Sequence, residues 1–465
     1  MINGKLIAGV DVGSSSIKYS IYDSKTSEII ETGRARYPNE TFQVNYVNIE
    51  LLIRTFRKVL RLLYNSGIDS IGLSCMAPIM ILVDSNNEVI SSIPYNSLLG
   101  SEFLTSLDRE EVYERTFNIP NVQMFFQKIM WLKSNNPRIM DRAKWILDLN
   151  GLLFMIFSNW TEQPVQDLNT ALEWGLYDIS KGTWNFKIAK DLGIDKKLPG
   201  LVSPEYSITY DGVTFSIGTV DTIVSALGSV GMDQSKMFLS NGSTLCAGYV
   251  SNTPARTGTM YNDLFFEGKY LVNGCNSQYS TIIDWAEKNF RTRVNINEID
   301  MIPRKVLFLP YLEGERCPIF DTNIRGALLD LDKSSTREDL LASVVHSLSY
   351  LSIDMIEELK QISGRTFNSI TAGGGLSKRN LAGIVASLTS LNYDITNIEP
   401  ATVGAILISM KGQGLIKKYP KDTEKYGLKI ESRIYPDSSY LSHRNNFEKF
   451  RKFRDSLIAI YSEKN

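Results

Sequence analysis

Histidine is almost missing from this sequence: 465 residues contain only His346 and His443, so imidazole is not expected to carry the chemistry. Cysteine is scarce too. Cys75, Cys246, Cys275 and Cys317 are scattered with no CxxC pair, which argues against a zinc site and fits a reducing compartment. Neither sign of charge is in excess, with Lys+Arg at 50 and Asp+Glu at 51. With no basic excess and no basic cluster, a nucleic-acid or anionic-membrane partner has little support. No apolar stretch reaches the roughly 20 residues that span a bilayer. The opening "MINGKLIAGVDVG" lacks the basic region, apolar core and cleavage site of a secretory signal, so a cytoplasmic location is expected. A GxxxxGKS/T motif is also missing, which excludes a P-loop.

What is present is length and repetition of pattern. At 465 residues the chain is past the size at which one core stops growing, and two domains are expected. "KLIAGVDV" and "IKYSIYD" read as strands flanking a serine turn, with "SEIIETGRARY" as a third strand. The helix "IELLIRTFRKVLRLLYNSG" carries Leu52, Phe56, Val59 and Leu63 on one stripe and stops at Asn65-Ser66-Gly67. The same order begins again near Lys236. "KMFLS" and "LCAGYV" flank Asn241-Gly242-Ser243, "KYLVNG" follows, then the long helix "TREDLLASVVHSLSYLSIDMIEELKQI" and the strand "SITAGGG". The boundary is expected around "GSVGMDQSK", giving units 1–230 and 231–465.

Three segments could hold a nucleotide. In "DVGSSSIK", amides at a tight turn and the hydroxyls of Ser14 and Ser15 can converge on phosphate oxygens, with Gly13 allowing close approach. Asp11 would hold Mg²⁺ through water, and Lys18 would offset phosphate charge. Alone, this is better read as a polar hairpin in which Gly13 supplies a positive φ. A second turn, "LSNGST", offers Gly242, Ser243 and Thr244 from the other unit. In "ITAGGGLSKRN", Gly373, Gly374 and Gly375 would let backbone lie against a nucleoside. Asp221 stands at the end of the strand "TFSIGTVD", where a carboxylate faces a cleft or caps a helix.

At these residues the sequence resembles the FGGY family of carbohydrate kinases over nearly its whole length. "GVDVGSSSIK", "IGTVDTIVSALGSVG", "LSNGST", "LPYLEGERCPIFDTNIRGALLDL" and "AGGGLSKRN" stand in family order, with Glu313, Gly314, Glu315, Arg316, Arg325 and Gly326 of the long signature in place. The resemblance implies an α/β fold of two ribonuclease H-like (actin-like ATPase) domains with a cleft between them. It implies ATP and Mg²⁺ as cofactors, a small sugar, polyol or sugar acid as acceptor, and Asp221 as catalytic base. A homodimer is the assembly it suggests.

The acceptor side departs from the pattern. A Gln-Met-His run common in the family reads Cys75-Met76-Ala77-Pro78, and Trp-x-Asp-x-Arg reads Tyr95-Asn96-Ser97-Leu98-Leu99, without the carboxylate and guanidinium. Asn150-Gly151 replaces an Asp-Tyr pair, while Asp167 matches a Thr-Asp-x-Ser segment. Met76, Asn96, Asp167 and Asp221 are the substrate-side candidates. Fewer charge-assisted hydrogen bonds suit a less hydroxylated, smaller or differently oriented acceptor. Two other readings compete: a non-catalytic nucleotide-binding regulator, and an ATP-driven assembly protein of the actin or Hsp70 sort. Retention of Asp221 and both turns weighs against the first, and the "PYLEGER" signature against the second.

Overall fold

A computed structural model of the chain describes residues 4–377 and 379–462. Lys378, expected to open a helix, and residues 1–3 of the opening stretch lie outside the described residues. Strands β1 (Leu6–Val12), β2 (Ser16–Asp23) and β3 (Glu28–Arg36) form an antiparallel meander. Parallel pairing needs a crossover. Helix α1 (Ile49–Asn65) supplies it, leading to β4 (Ser70–Cys75), which lies parallel to β1. The stripe Leu52, Phe56, Val59 and Leu63 is buried against the sheet. Asn48 caps α1 by accepting from the Leu51 amide at 3.1 Å, and Gly67 leaves it with φ 70°. A long insertion follows and contains the short helix α2 (Leu168–Glu173). Strands β5 (Ser207–Tyr210) and β6 (Val213–Val220) complete a six-stranded sheet ordered β5-β6-β4-β1-β2-β3, and α3 (Asp221–Val230) starts directly from β6.

The second lobe repeats this plan. Strands β7 (Lys236–Asn241), β8 (Leu245–Ser251), β9 (Tyr261–Leu264) and β10 (Tyr270–Cys275) are followed by the 27-residue helix α4 (Arg337–Ser363). Then come β11 (Ser369–Gly373), α5 (Arg379–Thr389), β12 (Asn392–Thr396), α6 (Pro400–Gly412) and β13 (Ile430–Ile434). The sheet order is β9-β10-β8-β7-β11-β12-β13. Reading β3-β2-β1-β4-β6 beside β10-β8-β7-β11-β12 shows the same five-strand ribonuclease H-like unit twice, as the resemblance implied. Helix α4 is apolar and long enough to cross a bilayer, but most of it is packed in the core of the second lobe.

The lobes join along α3 and α6, whose apolar faces form a shared core with Ile223, Val224, Leu227, Ile406 and Leu407. Small residues set this distance. A Cβ at Gly228 would lie 1.8 Å from the Pro400 carbonyl oxygen, and one at Gly404 2.1 Å from that of Val224. Helix α6 also lies against β1 and β4 of the first lobe, where a Cβ at Gly72 would fall 1.8 Å from the Ala405 oxygen. The helices that follow the last parallel strand of each lobe thus form the central contact between the lobes.

Two readings of composition change here. The register puts Cys246 of β8 opposite Cys275 of β10, and the pair forms a disulfide with S–S 2.14 Å, leaving Cys75 and Cys317 as buried thiols. Positions 29 apart in sequence gave no sign of this pairing. Nor is the basic charge evenly spread. Helical spacing stacks Arg54, Arg57, Lys58 and Arg61 on the exposed side of α1, and with Arg34 and Arg36 of β3 they line a groove of about 1,170 Å³. A balanced total therefore conceals a local cationic face. His346 and His443 are buried in the second lobe, where their Nε2–H groups donate to the carbonyls of Asp300 and Met301.

Candidate active site

Between the lobes lies a cavity of about 800 Å³. The β1–β2 turn contributes Asp11, Gly13, Ser14, Ser15 and Lys18, and the β7–β8 turn contributes Gly242, Ser243 and Thr244. Gly13 and Gly242 are not in the left-handed region. A Cβ at either would meet nothing closer than 3.6 Å within the protein. Backbone geometry therefore does not require glycine there; an unfilled space beside each turn remains. The amides of Ser14, Ser15, Ser243 and Thr244 donate to no acceptor among the described residues. Two facing turns with free amides and hydroxyls make a cradle for an anion.

Asp11 is buried at the base of the first turn. Its Oδ1 accepts from the Ser74 hydroxyl at 2.8 Å, while Oδ2 stands 4.0 Å from the Lys18 ammonium. Burial pushes its carboxyl up to about 7, against the pull of Lys18. Lys18 itself forms an ion pair with Glu399, the residue that precedes α6. That contact joins first lobe to second, as does the 2.7 Å bond between the Ser20 and Thr402 hydroxyls. Lys18 is thus engaged by a carboxylate that the sequence did not bring to notice. Arg34 of β3 donates to Ser16 Oγ at 2.8 Å and to Ser15 Oγ at 3.3 Å, holding the first turn from behind.

Asp221 is the first residue of α3 and lines the cavity. Val220, not Asp221, occupies the cap position, and among the described residues the Asp221 carboxylate is held only by its neighbour Thr222, through the backbone amide and through the hydroxyl, which donates to Oδ1 at 3.3 Å. Burial raises its carboxyl to about 6, with Thr222, Lys18 and Arg316 opposing the rise. A proton-attracting carboxylate with a free oxygen, facing a cavity, is equipped to take a proton from a bound hydroxyl.

The three glycines divide. Only Gly375 lines the cavity. A Cβ at Gly373 would strike Pro400 Cδ at 2.5 Å, and Gly374, at φ 101°, packs on the Asn241 carbonyl. Those two let β11 end tightly against α6 and β7, and do not reach the cavity.

The substrate-side candidates divide as well. Met76 lines the cavity. Asn96 is exposed outside it, and its neighbour Tyr95 takes the lining position. Asp167 does not reach the cavity; it is buried at the start of α2. One of its oxygens accepts from the amides of Asn169 and Thr170 at 3.1 Å and from the Thr219 hydroxyl at 2.6 Å; the other accepts from Asn150 Nδ2 at 2.6 Å. An aspartate with every lone pair directed into protein is a cap and cross-brace. Asn150 is its partner, and Gly151 is needed because a Cβ would lie 2.5 Å from Gln166 Oε1.

Other groups occupy the far end of the cavity. Arg316, from the long signature, places its guanidinium 5.4 Å from the Tyr95 ring centre and donates to the Asn276 carbonyl at 2.6 Å and to Gln123 Oε1 at 3.2 Å. Tyr261 donates to the same Gln123 oxygen at 2.7 Å. Glu173, at the end of α2, and Asp263 of β9 also line this end. Asn118 of the insertion, which lines the cavity, exchanges two 2.8 Å bonds with the backbone of Asn262 and so bridges the lobes beside it.

Comparison with known proteins agrees with this geometry. Residues 6–230 match the N-terminal domain, and residues 235–412 the C-terminal domain, of the FGGY family of carbohydrate kinases. The chain is 24% identical to a xylulose kinase of Lactococcus lactis subsp. lactis (strain IL1403), over 98% of this chain and 96% of that one. Among solved structures it resembles a ligand-bound xylulose kinase of Lactobacillus acidophilus, with TM-score 0.88 at 18% identity, over 99% of this chain and all of the other. A gluconate kinase of the same organism is similar at TM-score 0.87 and 18% identity, over the full length of both. With both lobes matched and the two turns facing one cavity, the chain belongs to the FGGY family of carbohydrate kinases and is an ATP-dependent kinase of that class.

Proposed function

We propose that this kinase moves the γ-phosphoryl group of ATP to a hydroxyl of a small sugar, polyol or sugar acid, with Asp221 as general base. The observation that carries the reading is the meeting of Asp221 with both serine turns on one interlobe cavity. The free amides of the turns would bind phosphate oxygens from opposite walls, and Gly375 would leave room for the nucleoside. Asp221 would orient the acceptor hydroxyl and take its proton as the bond to phosphorus forms. Most of the acceleration then comes from positioning and charge neutralisation.

Asp11 suits Mg²⁺ held largely through water: one buried carboxylate, with Oδ2 free of hydrogen bonds and a strong attraction for positive charge. Among the described residues no group of three or more His, Cys, Asp or Glu is placed to hold a metal. That donor set fits an ion whose remaining ligands are water and phosphate. When bound, the ion would neutralise phosphate charge. The contacts of Asn118 with Asn262 and of Lys18 with Glu399 hold the lobes together, which keeps competing water from the phosphoryl group.

The test is a coupled ADP-release assay over sugars, polyols and aldonates with Mg-ATP, run on the native chain and on Asp221→Asn. The variant should bind ADP normally and lose about 10²–10⁴ in turnover. Normal turnover by the variant would overturn the assignment of the base.

A further inference from the structure

The acceptor end of the cavity contains two carboxyl groups that no motif of the sequence singled out, and they come from different lobes. Glu173 closes α2 in the first lobe, Asp263 lies on β9 in the second, and α2 packs against β9. Both line the interlobe cavity together with Asp221. Neither forms an ion pair among the described residues. Asp263 Oδ2 accepts from Asn273 Nδ2 at 2.7 Å, whereas Glu173 Oε2 is sealed from solvent with no hydrogen-bond partner. A carboxylate oxygen shut away from both water and donors cannot sustain full charge. Burial raises both carboxyls, the charge of Asp263 adds to the rise at Glu173, and Asp263 stands at about 6, so Glu173 is the one of the two that keeps its proton. The single guanidinium nearby, Arg316, is already engaged by Asn276, Gln123 and the Tyr95 ring.

We propose that Glu173 and Asp263 form the acceptor-selecting pair of this kinase, accepting uncharged polyols or keto sugars and turning away sugar acids. This rests on reading the cavity as the acceptor site. A carboxylic acid beside a carboxylate offers one O–H donor and several acceptor oxygens, a set matched to neighbouring hydroxyls. An aldonate would bring another negative charge beside the Asp263 and Asp221 carboxylates and the neutral acid of Glu173, with Arg316, held by Asn276 and Gln123, the one guanidinium at that end. The fold does not make this choice, since xylulose kinase and gluconate kinase structures match the chain almost equally well. It falls to side chains, and here the Asp and Arg that many relatives place near Ser97 and Leu99 are replaced by acids from elsewhere.

The test is calorimetric binding of xylitol, D-xylulose, glycerol, D-gluconate and D-xylonate to the full chain with Mg-ADP, repeated on Glu173→Gln and Asp263→Asn. The native protein should bind at least one uncharged compound and show at least about tenfold weaker binding of both aldonates. Asp263→Asn should narrow that ratio by about tenfold, through the aldonate side, whereas Glu173→Gln, an amide in place of a neutral acid, should leave it near the native value. Equal or tighter binding of an aldonate by the native protein overturns the proposal, as does binding of none of the five. It is also overturned if Asp263→Asn melts at lower temperature yet keeps the native ratio, which would make the pair structural. Because binding is read without turnover, selective binding with no phosphoryl transfer would leave this proposal standing and remove the base assignment alone.

Discussion

Replacing Gly228 by alanine tests whether the α3–α6 crossing fixes the geometry of the cleft. The added Cβ would sit 1.8 Å from the Pro400 oxygen, 2.7 Å from its carbon and 2.8 Å from the Gly404 nitrogen. All three are backbone atoms, so no side chain can rotate away. Restoring ordinary contact requires the helices to part by roughly 1.5 Å. Overpacking of this kind costs about 1–3 kcal/mol, and each kcal/mol lowers the melting temperature of a lobe this size by roughly 2–4 °C. Helix α3 begins with Asp221, about two turns from the clash, and a displacement near 1 Å at a reacting group costs about 10²-fold in rate. Thermal unfolding with and without Mg-ADP, and turnover measured well below the transition, read the two effects separately. A melting temperature within about 1 °C of native, with turnover unchanged, would show that the crossing does not hold Asp221 in place.

Two further outcomes follow from the site. With the Asp221 carboxyl at about 6, and the ionised form acting as base, kcat/KM should fall as pH drops through 6. At pH 5 such a group is about 9% ionised, against about 94% for an ordinary aspartate, so a profile flat to pH 5 in folded protein would remove Asp221 as the titrating base. Asp167→Ala strands the Thr219 hydroxyl and the backbone amides of Asn169 and Thr170. At about 1–3 kcal/mol for each buried unsatisfied group, the melting temperature should drop clearly while the acceptor KM of the folded enzyme holds. A raised KM with normal melting would return Asp167 to the acceptor.

The two-lobe plan was legible because its signals are local. A strand, a Gly-Ser turn, a strand and a crossover helix recur in order, and an apolar stripe at helical spacing marks α1 even without a partner in view. The two facing Gly-Ser turns were legible for the same reason, since a turn needs only the right residues over five or six positions. What failed depended on distance. The Cys246–Cys275 pairing needs the β8–β10 register. Gly373 and Gly374 look like nucleotide glycines until α6 is laid against them. Asp167 matches a family segment, yet its neighbours Asn150 and Thr219, 17 and 52 positions away, absorb its oxygens.

The acceptor end shows this limit most fully. Tyr95, Gln123 and Glu173 come from the insertion of one lobe; Tyr261, Asp263 and Arg316 come from the other. Each stands in an ordinary local setting: Glu173 reads as one polar residue in a short helix, Asp263 as one in an edge strand. Only the packing of α2 on β9 turns them into a pair, and that packing exists only while the lobes are together. Specificity assembled across the cleft cannot be complete in an open molecule. On the proposed reading, the contacts of α2 with β9 that would select the acceptor also join the two lobes beside the cavity, so recognition of the hydroxyl-bearing ligand and approach of the lobes would be one geometric event.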